Sequence, residues 1–204
     1  MKEKTKEILK NKNVCFLGSS VTYGYASGGI SFVDVIAKDC DCNCIKYAVN
    51  GTTMVREDET SYVSRMEKID FSGAFDLFVC QLSTNDASRN KPLGSEDDDR
   101  PDTVCGAINY VVGYVKERFG CPIVFFTNPP YDNARYVAMR AALLNIAKKK
   151  GFTVVDLFGG EAGKISPSDR RKYMADDIHP TLSGYEEWWA PIFENALADV
   201  LSGN

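Results

Sequence analysis

The chain predicts an α/β protein, a sandwich of helices around a parallel sheet, and two features of the sequence predict it. Five short apolar runs rich in β-branched and aromatic residues punctuate the chain, and segments of helical period lie between them. Each run is apolar at nearly every position rather than at alternate ones, as expected of strands covered on both faces. Strands that alternate with helices place those covers on the two sides of one sheet.

Taken in order, the first strand is Val14–Leu17. The helix after it is marked by Phe32, Val35 and Ile36, which recur at helical spacing on one face. The second strand spans Cys44–Val49, and a shorter helix carries Tyr62, Val63 and Met66. The third strand covers Phe75–Leu82. Val104, Ile108, Val111, Val112 and Val115 then form a helical stripe, for which Asp102 or Thr103 is a suitable N-cap. The fourth strand is Ile123–Thr127, followed by a helix from about Asn133 to Lys150 with Gly151 at its C′ position. The fifth strand is Phe152–Leu157. A last helix covers Leu182 to Leu201, where Pro191 should kink it or divide it, because proline lacks an N–H and its ring crowds the preceding turn.

The 204 residues suit one domain, read here as residues 1–204, with no internal repeat, linker or second core. The composition is 44% hydrophobic and 25% charged with a net charge of −4. Lysines and arginines are interleaved with acids, so no concentrated basic face presents itself to a nucleic acid. Lys148, Lys149 and Lys150 end a helix, where they complement its dipole. The segment Met1 to Asn13 is rich in lysine and glutamate, and no segment has the roughly 18 apolar residues that cross a bilayer. The expectation is a cytoplasmic protein without a membrane partner. Most of the seven cysteines sit at apolar strand or helix positions, as small buried hydrophobes do in a reducing compartment. Cys40, Cys42 and Cys44 are spaced wrongly for a zinc knuckle, and a single histidine is available, so neither a metal nor another cofactor is expected. The acidic run Glu96 to Asp99 reads as a solvated loop, with an overhang of the active-site end as the alternative.

In open α/β sheets ligands bind beyond the carboxyl ends of the strands. Gly18-Ser19-Ser20-Val21-Thr22-Tyr23-Gly24 follows the first strand, Asn50-Gly51-Thr52-Thr53 the second and Ser83-Thr84-Asn85-Asp86 the third. Asp176-Asp177-Ile178-His179-Pro180-Thr181 precedes the last helix. Singly these are turns and caps. A serine hydroxyl is a poor nucleophile until a neighbouring base takes its proton, and imidazole suits that task near neutral pH. With one histidine in the chain, a serine hydrolase must use His179. Asp176 and Asp177 both lie close enough to orient it; a turn brings positions i and i+3 to one side, which favours Asp176.

The four blocks together resemble the SGNH/GDSL hydrolase family, which carries Ser, Gly, Asn and His in this order. Ser20 stands in the nucleophile place, with Ser19 where the founding motif has aspartate. Gly51 falls at the second-block glycine and Asn85 at the asparagine of G-x-N-D, with Ser83 replacing that motif's glycine. D-x-x-H-P-T is intact from Asp176 to Thr181, and the resemblance spans nearly the whole chain. It implies a three-layer α/β/α sandwich whose five parallel strands follow the flavodoxin-like order 2-1-3-4-5. It also implies a triad of Ser20, His179 and Asp176, and an oxyanion hole made by the N–H groups of Ser20 and Gly51 and the Asn85 amide. If the motif needs glycine for a positive φ, Ser83 would displace Asn85; if it needs only closeness, a small serine fits. The implied function is hydrolysis of a small-molecule carboxylic ester through an acyl-Ser20 intermediate, with a short acyl group, acetyl on a sugar foremost. An O-acyltransferase using the same triad and a noncatalytic binding domain on the same fold are the alternatives.

Overall fold

The computed structural model describes residues 2–70 and 72–203; Met1, Phe71 and Asn204 lie outside the described residues. Five strands, β1 (Asn13–Gly18), β2 (Asn43–Ala48), β3 (Leu77–Gln81), β4 (Ile123–Phe126) and β5 (Thr153–Val155), form one sheet. Its order is β2-β1-β3-β4-β5, and every adjacent pair is parallel. The expected order 2-1-3-4-5 is therefore the observed one. Each strand differs from its predicted span by one or two residues at an end, most in β3 and β5, whose predicted flanks Phe75 and Leu82, and Phe152 and Leu157, lie outside the ladder.

Alternate residues of one strand feed two separate cores. Val14 and Phe16 of β1, Leu77 and Val79 of β3, and Val124 and Phe126 of β4 enter the core on one side. Cys15, Leu17, Phe78, Cys80, Ile123 and Phe125 enter the core on the other. This two-sided burial is why the strands read as unbroken apolar runs. The first core is closed by α1 (Lys2–Leu9), α3 (Phe32–Cys40) and α9 (Ala190–Leu201), the second by α4 (Tyr62–Met66), α6 (Val104–Arg118) and α7 (Ala134–Lys150). Phe16, Phe32, Phe126, Trp189 and Phe193 pack ring against ring in the first core and are fully buried. Burial of each such side chain contributes about 1.5–3 kcal/mol.

Caps set the helix ends. Thr103 caps α6 by accepting from the Gly106 N–H, Asn133 caps α7 through the Tyr136 N–H, and Gly151 closes α7 at φ 69°. The last helix is divided beside Pro191, as expected, without a break in the chain's helical course. A π-helical turn, Gly184–Trp189, precedes α9, so that the Ala190 N–H reaches the Tyr185 carbonyl and proline enters at the start of a new helical segment. Four helices have no counterpart in the sequence reading: α1, α8 (Pro167–Tyr173), and the single turns α2 (Ser20–Tyr23) and α5 (Thr84–Ser88). α8 buries none of its residues, so no apolar stripe announces it, although Ser166 as cap and Pro167 at its start did.

The acidic loop does not overhang the carboxyl edge of the sheet. Glu96 and Asp97 pair with Lys149 at 3.0 and 3.5 Å on α7, and Asn109 of α6 donates to the carbonyls of Glu96 and Asp98. Opposite charge at the C-terminus of α7 draws the loop to that side. All seven cysteines are free thiols, and burial pushes Cys40 up to about 12 and Cys105 and Cys121 up to about 11. Among the described residues no helix is long and apolar enough to cross a membrane.

Candidate active site

β1 delivers Ser20 to the carboxyl edge of the sheet at the first position of α2. The chain can turn so sharply there because residue 18 is glycine: a Cβ at Gly18 would come within 1.9 Å of Thr22 Oγ1 and 2.8 Å of Gln81 Oε1. Gln81, the last residue of β3, is fully buried, and its Oε1 accepts from the Ser19 N–H at 3.0 Å and from Thr22 Oγ1 at 2.8 Å. The turn that presents Ser20 is thus fastened to the neighbouring strand.

The histidine reaches the same edge from the opposite end of the chain. Met174 and Pro180 form an isolated antiparallel bridge, and the Ala175 N–H donates to the His179 carbonyl at 2.8 Å. Residues 176–179 are the tip of this small hairpin. Asn128, just past β4 and fully buried, holds the tip by donating from Nδ2 to the Ile178 carbonyl at 2.9 Å. Within the tip, Asp176 Oδ1 accepts from the N–H groups of Ile178 and His179, both at 2.7 Å, and its Oδ2 lies 2.8 Å from His179 Nδ1. Burial disfavours the Asp176 charge, but the His179 ring and those two N–H groups outweigh it and hold the carboxyl below its ordinary value. An ionised Asp176 accepts only, so Nδ1 carries the ring proton and Nε2 is left as the acceptor. Ser20 Oγ is 2.9 Å from Nε2, and its O–H donates there. Asp177 takes no part: its side chain is 87% exposed and faces Arg170 at 3.5 Å.

Gly51 and Asn85 complete the cleft. Gly51 has φ 75°, a left-handed conformation that glycine adopts without strain, and a Cβ there would meet no protein atom. Asn85 Nδ2 donates to the Thr52 carbonyl at 3.0 Å and to Ser19 Oγ at 3.2 Å, which brings the side-chain amide between the nucleophile turn and the glycine loop. Ser83 leaves this arrangement intact. Its φ of −70° is one that any residue adopts, and its Oγ caps α5 by accepting from the Asp86 N–H. The motif's glycine was therefore not needed here for a positive φ.

Three positioning residues were given no role in the sequence reading, although Asp86 stands in its third block. Asp86 is fully buried and accepts from the N–H groups of Met54 at 2.7 Å and Val55 at 3.0 Å, locking the glycine loop against α5; burial raises its pKa despite these bonds. Arg65 of α4 donates to the carbonyls of Tyr47 at 2.6 Å, Gly18 at 2.8 Å and Thr60 at 2.8 Å, so one guanidinium ties the ends of β1 and β2 together, and burial lowers its pKa. Arg89 donates to the Gly51 carbonyl at 2.8 Å while paired with Glu57 at 3.0 Å. Gln81 did have a signal in the sequence, as a polar residue inside an otherwise apolar strand.

Ser20, Tyr25, Asn50, Gly51, Asn85 and His179 line one cleft of about 390 Å³. Tyr25 is a further residue the sequence did not single out: its ring centroid lies 5.2 Å from that of His179 at an interplanar angle of 53°. Among the described residues no group of three or more His, Cys, Asp or Glu side chains is placed to hold a metal ion.

The model of the GDSL-like lipase/acylhydrolase family matches residues 16–187, from β1 through the Asp176–His179 turn. Solved structures with the same fold include a protein from Lactobacillus plantarum at 20% identity and TM-score 0.77, covering 96% of this chain and 98% of that one. A possible lipase from Chitinophaga pinensis matches at 18% identity and TM-score 0.67, covering 94% and 98%. A variant of an acetyl-xylooligosaccharide esterase from Geobacillus matches at 15% identity and TM-score 0.63, covering 93% and 95%. A search of curated protein sequences gives no significant match.

Proposed function

Because this chain belongs to the GDSL-like lipase/acylhydrolase family, whose hydrolases act on esters, we propose that it cleaves a small-molecule carboxylic ester through an acyl-Ser20 intermediate. The observation that carries the reading is the continuous relay Ser20 Oγ–His179 Nε2 at 2.9 Å and His179 Nδ1–Asp176 Oδ2 at 2.8 Å, opening on a cleft. Ser20 Oγ attacks the carbonyl carbon as its proton passes to Nε2. The Asp176 carboxylate stabilises the imidazolium that forms. The N–H groups of Ser20 and Gly51 supply donors to the tetrahedral oxyanion, and the Asn85 amide adds a third when one Nδ2 hydrogen turns from Ser19 Oγ to it. Collapse expels the alcohol, which takes the proton from Nε2. Water, deprotonated by the same nitrogen, then releases the acid and restores Ser20.

The acyl group is short, with acetyl on a carbohydrate as the leading candidate. Among the described residues lining the cleft none is aliphatic, so a long acyl chain gains little of the roughly 0.8 kcal/mol that each buried methylene supplies. The carbohydrate assignment is consistent with the acetyl-xylooligosaccharide esterase among proteins of this fold. The free, buried thiols favour a cytoplasmic location. The test is kcat/KM along a series of p-nitrophenyl esters from acetyl to octanoyl with Ser20→Ala as control. The account expects activity that peaks at acetyl or propionyl and vanishes in Ser20→Ala; an optimum at octanoyl would refute the short-acyl assignment.

A further inference from the structure

We infer that Tyr25 is the platform of a leaving-group subsite, on which the alcohol half of the ester, a pyranose ring, lies during cleavage. The inference rests on the ester-hydrolase reading above and adds which half of the substrate each side of the cleft reads. Gly51, Asn85 and His179 line one cleft with Ser20, and only His179 lies within hydrogen-bond distance of the Ser20 hydroxyl, at 2.9 Å. When the tetrahedral intermediate collapses, the proton on Nε2 must reach the leaving oxygen, so that oxygen sits within hydrogen-bond distance of the imidazole. A side chain packed beside the imidazole is therefore well placed to touch the alcohol half of the ester. That neighbour is Tyr25, whose ring is 5.2 Å from the imidazole while its side chain remains 60% exposed.

The loop that carries Tyr25 is fixed in advance. The Gly29 N–H donates to the Gly24 carbonyl at 2.9 Å, and Lys46 Nζ donates to the carbonyls of Tyr23 at 3.2 Å and Gly29 at 2.9 Å. Asp34 accepts from Lys46 at 2.6 Å and caps α3 with Ser31, which joins the loop to the helix that follows. A loop backbone fixed in this way loses little freedom on binding.

The segments on either side of the Tyr25–His179 pair carry further apolar surface. Ile30, on the Tyr25 loop, and Leu182, three residues past His179, are 45% and 39% exposed. With Val35 they line a second cleft of about 410 Å³, where Asp34, Asp39 and Glu186 contribute carboxylates and Lys38 an ammonium group. A pyranose has the matching chemistry: a C–H face that packs on a ring or an aliphatic side chain, and hydroxyls that donate to carboxylates.

Two substrate pairs in wild type, Tyr25→Ala and Tyr25→Phe test this. An acetylated methyl pyranoside against ethyl acetate varies the alcohol at constant acyl group; ethyl acetate against ethyl butyrate varies the acyl group at constant alcohol. Tyr25→Ala should lower kcat/KM for the acetylated pyranoside about tenfold, the size of an aromatic contact. The same variant should change ethyl acetate less than about twofold, and Tyr25→Phe should retain the preference. The acetyl-to-butyryl ratio should be unchanged in all three proteins. An equal loss on both acetates would mean that Tyr25 acts only by supporting His179, and a shifted acyl ratio would place Tyr25 on the acyl side; either result overturns the proposal. A wild-type protein inactive on every ester would overturn the hydrolase reading itself and the subsite with it.

Discussion

The replacement of Asp176 by asparagine isolates the third member of the relay without disturbing the turn around it. Asp176 Oδ1 accepts two backbone N–H groups at 2.7 Å, and Oδ2 faces Nδ1 at 2.8 Å. An asparagine that keeps its carbonyl oxygen on the two N–H groups turns its NH₂ toward Nδ1. An amide N–H must donate, so Nδ1 loses its proton, the proton moves to Nε2, and Nε2 then faces Ser20 as a donor rather than an acceptor. To recover the productive tautomer the enzyme must forgo a charge-assisted hydrogen bond, about 1.5–3 kcal/mol, and set two N–H groups against each other at a similar cost. The sum of about 3–6 kcal/mol corresponds to a fall in kcat of roughly 10²–10⁴. Asp177→Asn serves as the matched control. Its side chain is 87% exposed and pairs only with Arg170 at 3.5 Å, so kcat should move less than about twofold. The assay is kcat on a short-chain p-nitrophenyl ester at pH 8, with thermal unfolding to verify that both variants are folded. A crippled Asp177→Asn beside a healthy Asp176→Asn would refute the reasoning. If neither variant lost activity, Ser20 and His179 would be working as a dyad.

Two other outcomes follow from the same geometry. Asn85→Ala should lower kcat about 10²–10³-fold and leave KM nearly unchanged, since an oxyanion donor acts mainly on the transition state; a change confined to KM would show that Asn85 binds the ground state instead. Stability should decline in acid. Among the carboxylates held below their ordinary range, three are partly buried: Glu67 against Arg56, Asp176 despite its burial through His179 and two N–H groups, and Asp156 despite its burial through Arg140. Each such group stabilises the fold above its unfolded pKa, about 4, and loses that contribution as pH falls through the lower folded value. Asp86, raised by burial, runs the other way and offsets part of the loss. The urea midpoint should therefore be flat from pH 7 to about 5 and fall below about 4; a midpoint that rose between pH 5 and 3 would contradict the sign.

The sheet was legible because its strands bury both faces, which leaves an unmistakable pattern in Val14–Leu17 and Phe75–Leu82. α8 was not, because an exposed helix such as PSDRRKY has no apolar period to display. The chemical residues were legible as a set of blocks after strand ends, and the fold brings Ser20, His179, Asp176, Gly51 and Asn85 to one cleft or its immediate support. The choice between Asp176 and Asp177 needed the turn at the hairpin tip, where Oδ1 binds two N–H groups and aims Oδ2 at the ring. The effect of Ser83 needed its φ of −70°, which no motif reports. Arg65, Asp86 and Tyr25 stayed hidden because their partners are backbone groups or a ring far away in sequence, contacts that exist only once the loops have closed.

The measurement that bears most directly on the central claim is mass-spectrometric mapping of the protein after reaction with a fluorophosphonate probe. Of all the serines, Ser20 is the one whose Oγ lies 2.9 Å from the base. The account predicts a single adduct on Ser20, lost in both Ser20→Ala and His179→Ala. An adduct on Ser19 or any other residue, or an active preparation that takes up no probe, would contradict it.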